Sequence, residues 1–194
     1  MRGGFSDAVK AALRSDPALV HALASHLLER HFPESLHPDI LSAVGLEPGP
    51  APVPGGRKRD PGFRQRVLTA YEYRCAVCGF DVRLGQVAIA LDAAHIRWHQ
   101  AGGPDREGNG LALCVLHHKT FDLGAFTVTA EGVLLVSDQA HGGTGFQETL
   151  LNYHGQAVRT PQRPEWCPES AFLAWHAREV FKGKARHRAT PALP

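Results

Sequence analysis

The sequence predicts an α+β fold: a strand, loop, strand, helix core held by a metal knuckle, with a hairpin and helices around it and a short N-terminal helical annex. Three observations carry this. Apolar residues alternate at Val87, Ile89 and Leu91 from Gln86 onward and run on toward His95, a strand signature. Gly110 to Cys114 is a second short apolar strand and Val115 to about Asp122 continues as a helix, with Arg97 to Asn109 (RWHQAGGPDREGN) as the loop between the strands. Cys75-x-x-Cys78 and Cys114-x-x-His117 frame that ββα unit with two pairs of soft metal ligands.

Size and composition bound the reading. The 194 residues suffice for one ordinary domain or a catalytic unit with an annex. A net charge of +2 and a pI near 8.4 do not announce nucleic-acid binding, so any DNA affinity must come from local patches. No apolar run approaches the roughly eighteen residues of a membrane span, and the N-terminus shows no charged-apolar-small pattern, so neither a membrane span nor a secretory peptide is expected. The expected location is the cytoplasm. Four cysteines could form two disulfides, but Cys75 and Cys78 are spaced as metal ligands and a chain of this length needs no staple.

In chain order, residues 1–46 read as short helices. Asp16-Pro17 is an N-cap followed by proline at the first helical position, Pro33 closes the second helix, and a third, from Pro38 to Val44, ends at Gly45. His21, His26, His31 and His37 sit five or six apart, which a helix does not bring to one face. Residues 47–59 begin with EPGPAPVPGG, four prolines and three glycines in ten residues, and read as a linker with the basic end Arg57-Lys58-Arg59.

Residues 60–185 read as the main domain and 186–194 as a tail, with Lys182 to Arg188 basic. Asp60-Pro61 starts a helix from about 60 to 73 with Phe63, Val67 and Tyr71 on one stripe. Phe126 to Thr129 and Val133 to Val136 flank Ala130-Glu-Gly132 as a hairpin, Phe146 to Tyr153 is a helix, and Glu169 to Phe181 is a final helix with Phe172, Leu173, Trp175, His176 and Val180 inward.

Cys75, Cys78, Cys114 and His117 make a closed four-ligand set of the kind that holds structural Zn²⁺. Cys167, in a Pro-flanked loop, is the rival fourth ligand and reads as a free cysteine. His117 and His118 are neighbours on a helix and point about 100° apart, so two histidines imply two sites. His118 and Asp122, four apart, share a helical face and offer an imidazole and a carboxylate to a hard divalent ion.

Asp92-Ala-Ala-His95-Ile, then Asn109 fourteen residues on, then Leu113-Cys-x-x-His-His118 nine beyond that, resemble the HNH, or ββα-metal, endonucleases. The resemblance implies His95 as general base, Asn109 as the residue that orients that histidine and holds the loop, and His118 as a ligand of the catalytic Mg²⁺ or Mn²⁺. It also implies products with 5′-phosphate and 3′-hydroxyl ends. The residue before the base, usually Asp or His and a metal ligand, is here Ala94. Asp92 lies on the same strand face but about 6.5 Å further along, so the carboxylate beside His118 is either Asp92 or Asp122. Arg97, Lys119 and Arg106 are the nearest cations for DNA phosphates.

Over most of the chain, Tyr71-Glu-Tyr-Arg-Cys-Ala-Val-Cys-Gly-Phe80, Ala94-His-Ile-Arg-Trp-His-Gln-Ala-Gly-Gly-Pro104 and Phe172-Leu-Ala-Trp-His resemble the nuclease half of bacterial restriction enzymes that recognise phosphorothioated DNA. Residues 1–46 resemble only the tail of the sulfur reader and its connector, and no residue there speaks for sulfur recognition. The expected function is a metal-dependent DNA endonuclease of restriction type, with a homodimer as the arrangement that would cut both strands. The rival is a non-catalytic zinc-stabilised binding module, a remnant of a longer enzyme. Such a module has no need of His95, Asn109 and His118 together.

Overall fold

A computed structural model provides the structure, which describes residues 4–46 and 60–187. Two compact units divide the chain, Met1–Lys58 and Arg59–Pro194. The expected linker 47–59 with its basic end, and residues 188–194 of the tail, lie outside the described residues.

The first unit contains α1 (Asp7–Ser15), α2 (Pro17–His31) and α3 (His37–Ala43). Asp16 accepts hydrogen bonds from the backbone N–H groups of Ala18 and Leu19, and Pro17 takes the first helical position, so the start of α2 is set locally. Phe32 is extended before Pro33, which stops the helix. Gly45 at φ 71° ends α3 in the left-handed conformation that glycine adopts without a Cβ clash. Leu28, Leu36 and Leu41 are buried here.

The second unit opens with α4 (Phe63–Ala70), shorter at both ends than the periodicity predicts. At its start Asp60 accepts from the Gly62 N–H instead of being continued as helix. At its end Glu72 and Tyr73 take φ values of 55° and 57°, and this left-handed turn swings the chain toward the cysteine pair.

The strand expected to run from Gln86 through His95 is two strands. β1 (Arg83–Leu84) and β2 (Val87–Ala88) form a separate ribbon, and β3 (Leu91–His95) begins after Ala90, whose φ of 53° breaks the ladder. Alternation does not reveal this because Val87 and Ile89 are exposed rather than packed on the core. β3 pairs antiparallel with β4 (Gly110–Cys114) in the register Asp92↔Leu113 and His95↔Gly110. The next element is α5 (Val115–Asp122), which completes the ββα unit.

β5 (Phe126–Val128) and β6 (Leu134–Val136) form the expected hairpin. The helix predicted over 146–153 splits into α6 (Thr144–Thr149) and a single 3₁₀ turn, Leu151–Tyr153, because Leu150 leaves the helical region. α7 (Ser170–Glu179) closes the domain. The core joins Val67, Leu68 and Tyr71 of the α4 segment to Leu91, Ala94, Leu111 and Leu113 of the sheet and to Phe121 and Phe126. Trp175, expected inward, is only half-buried and meets Trp98 edge-on. Gly110 lets α4 lie against the sheet, since a Cβ there would stand 2.5 Å from a Val67 methyl.

Candidate active site and metal cluster

The four soft ligands converge. The donor atoms of Cys75, Cys78, Cys114 and His117 all lie within 4.8 Å of one another, with Cys114 Sγ 3.1 Å from His117 Nδ1. All four cysteines are free thiols, and Cys167 is not in the group. His117 Nε2–H donates to the Thr149 carbonyl at 2.7 Å, which turns Nδ1 toward the sulfurs. The contact with Cys114, then that with Cys78, holds the Cys75 thiol far below its ordinary range despite burial. A ligand set of three sulfurs and one oriented imidazole nitrogen fits a tetrahedral metal such as zinc. None of the four annex histidines joins a metal-competent group of three or more among the described residues.

The loop between the strands is closed by Asn109. Its side chain is fully buried, Oδ1 accepts from the Arg97 N–H at 2.8 Å, and Nδ2 donates to the carbonyls of Arg97 and Pro104, both at 3.0 Å. Gly103 is required there, because a Cβ would stand 1.8 Å from the Arg97 carbonyl oxygen. The His95 side chain meets Asp105, whose Oδ1 accepts from His95 Nε2–H at 2.7 Å. The His95 ring also stacks on Phe63 of α4, with ring centroids 4.1 Å apart.

Asp105 is the main residue that motif spacing does not reveal. Burial raises its pKa, but the hydrogen bond from the Asp60 N–H and the contact with His95 outweigh that, and the net shift is downward. Its position in Gly-Gly-Pro-Asp105, at the end of a turn sequence, is the one signal in the chain that marks it.

His118 sits between the two candidate carboxylates. Nδ1 is 4.0 Å from Asp92 Oδ2, and Nε2 is 3.3 Å from Asp122 Oδ2. The neighbouring His118 lowers the pKa of Asp92, and Arg64 adds to it with Nε 3.3 Å from Oδ1. Asp92 is 43% exposed and Asp122 only 2%. Ala94, at the position that usually bears a ligand, is buried in the core opposite Leu111. Consecutive residues of α4, Phe63 and Arg64, therefore brace His95 and Asp92 respectively.

Arg106 and Arg97, both expected to meet phosphate, have protein partners. Arg106 pairs with Glu169 at 2.8 Å and lies over the Phe172 ring, and Arg97 Nε donates to the Ala101 carbonyl at 2.9 Å. Lys119 is half-buried on α5, next to His118.

Residues 75–129 match the family model described as HNH endonuclease, and residues 1–49 match that described as ScoMcrA-like, DNA sulfur-binding domain. The second match spans the whole annex, where the helical pattern by itself carries no sign of sulfur recognition. Among solved structures, the modification dependent TagI restriction endonuclease is similar at 26% identity and a TM-score of 0.45, over 63% of this chain and 38% of that one. No curated protein matches. The chain carries an HNH endonuclease domain, and the family match covers the cysteine pairs, His95, Asn109 and His118. Among the described residues no helix is long and apolar enough to cross a membrane.

Proposed function

We propose that this chain is the nuclease part of a bacterial, cytoplasmic, modification-dependent restriction endonuclease that hydrolyses DNA phosphodiester bonds with a divalent metal ion. The observation that carries this reading is an anchored imidazole, His95, on the same strand as Asp92, a carboxylate that faces His118 on the following helix.

His95 takes a proton from the attacking water. With Nε2–H donated to Asp105, the basic nitrogen is Nδ1, the one left to take the proton. Asn109 holds the loop that carries Asp105 in register with β3. His118 and Asp92 would hold Mg²⁺ or Mn²⁺, which when bound neutralises phosphate charge and stabilises the leaving 3′ oxygen. The two ring nitrogens of His118 face different carboxylates, so Asp92 is the ligand on the open side and buried Asp122 orients the ring from behind. Cys75, Cys78, Cys114 and His117 would hold Zn²⁺ as a structural ion. Lys119, Arg97 and Arg106 would meet flanking phosphates. Residues 1–49 would direct cleavage to phosphorothioated DNA, and a homodimer would cut both strands.

The test is cleavage of phosphorothioated and unmodified plasmid by zinc-loaded protein in Mg²⁺, in Mn²⁺ and in EDTA. Cleavage that needs the divalent ion and favours the phosphorothioated plasmid is expected. No cleavage under any divalent ion would overturn the reading.

A further inference from the structure

We infer that Asp105 is a positioning residue for His95: its carboxylate holds the ring as the Nε2–H tautomer and stabilises the imidazolium formed when His95 accepts a proton. The inference rests on the reading of His95 as the base. Its geometry is specific. Oδ1 lies 2.7 Å from His95 Nε2, and the two side chains are 13% and 15% exposed, so little water competes for the contact. The other oxygen, Oδ2, accepts from the Asp60 N–H at 2.7 Å, and the Asp105 carbonyl accepts from Arg66 at 2.8 Å. The carboxylate is thus held from two sides while the Phe63 ring stacks on the imidazole.

From the α4 side come Asp60 and Arg66, and Arg66 is matched by Asp60 at 2.9 Å and by Glu107 at 3.1 Å. From the loop side comes His99, buried, with Nε2 3.7 Å from Asp105 Oδ2 and its ring tilted against that of His95. Asp105 Oδ1 is the carboxylate oxygen hydrogen-bonded to His95 Nε2. Because a protonated His99 would draw on that same charge, His99 is the neighbour able to modulate the pair at acid pH. An anion beside an imidazole favours its charged form, so it strengthens the base and fixes which nitrogen is basic.

The experiment compares the full chain with D105N, D105E and H95A. Two measurements are made: single-turnover cleavage against pH in saturating Mg²⁺ or Mn²⁺, and long-range ¹H–¹⁵N spectra of the His95 ring against pH. D105N is expected to slow cleavage by at least about tenfold, with DNA affinity and zinc content unchanged. The acid limb of its pH–rate profile and the His95 ring titration should both move to lower pH. D105E should recover part of the rate. A D105N protein whose rate, acid limb and ring titration match the parent while H95A is inactive overturns this inference and leaves the nuclease reading standing. An active H95A removes His95 as base and Asp105 with it. If the parent itself does not cleave, the nuclease reading fails, and the ring spectra still decide whether Asp105 sets the His95 tautomer and titration.

Discussion

Asp122 Oδ2 lies 3.3 Å from His118 Nε2 while its side chain is only 2% exposed, so this carboxylate touches the histidine from the protein interior. Asp92 approaches Nδ1 of the same ring from the more open side. Asp92→Ala is therefore expected to raise the Mg²⁺ concentration for half-maximal cleavage by about tenfold or more and to leave zinc content untouched. Asp122→Ala should act mainly by loosening the ring and lowering the melting temperature. A metal titration of cleavage by both variants checks this, and a metal defect confined to the Asp122 variant would reverse the assignment.

His95→Ala should reduce cleavage by on the order of 10² to 10⁴. DNA affinity should stay near that of the parent, because the imidazole acts on water and not on the phosphate. Some melting temperature will be lost, since the ring stacks on Phe63. Gel-shift affinity measured beside single-turnover rates separates the two effects, and a near-parental rate would remove His95 from the mechanism.

Cys75→Ser and Cys114→Ser should each lower bound zinc and melting temperature together, because a closed site contributes folding energy directly. Cys167→Ser should change neither. Atomic absorption that finds stoichiometric zinc in the first two variants would refute the ligand set.

His176 gives a pH-dependent stability with a defined sign. Its ring stacks on Phe121 at 3.7 Å, Nδ1 accepts from the Thr127 hydroxyl, and Nε2–H donates to the Phe121 carbonyl. Burial pushes its pKa down to about 3 from an ordinary 6.5. Between those values the unfolded chain binds a proton that the folded chain refuses, so stability falls as pH drops, by up to about 1.4 kcal/mol per unit. His176→Phe should be less stable at pH 7, with the Thr127 hydroxyl and the Phe121 carbonyl left without this partner, but should lose less stability between pH 7 and 5. Urea unfolding of both proteins at the two pH values gives the difference, and equal slopes would contradict the assignment.

Local chemistry made much of this protein legible in the sequence alone. Short fixed spacings within a turn or a helix mark the pairs Cys75-x-x-Cys78 and Cys114-x-x-His117. The 100° step between adjacent helical residues turns His117 toward the cysteines and His118 toward Asp92 and Asp122. Proline and Asp16 set the start of α2 by contacts two or three residues away. Each of these depends only on near neighbours. Tertiary structure decided the rest. Whether apolar alternation at Val87 and Ile89 faces a core depends on what packs against it, and the left-handed turn at Ala90 cuts the expected strand in two. Asp105 and His95 are ten residues apart across an irregular loop, a separation that implies no contact until Asn109 folds the loop back on itself. The difference between Asp92 and Asp122 is likewise one of burial on opposite sides of a single imidazole, which no spacing along the chain encodes.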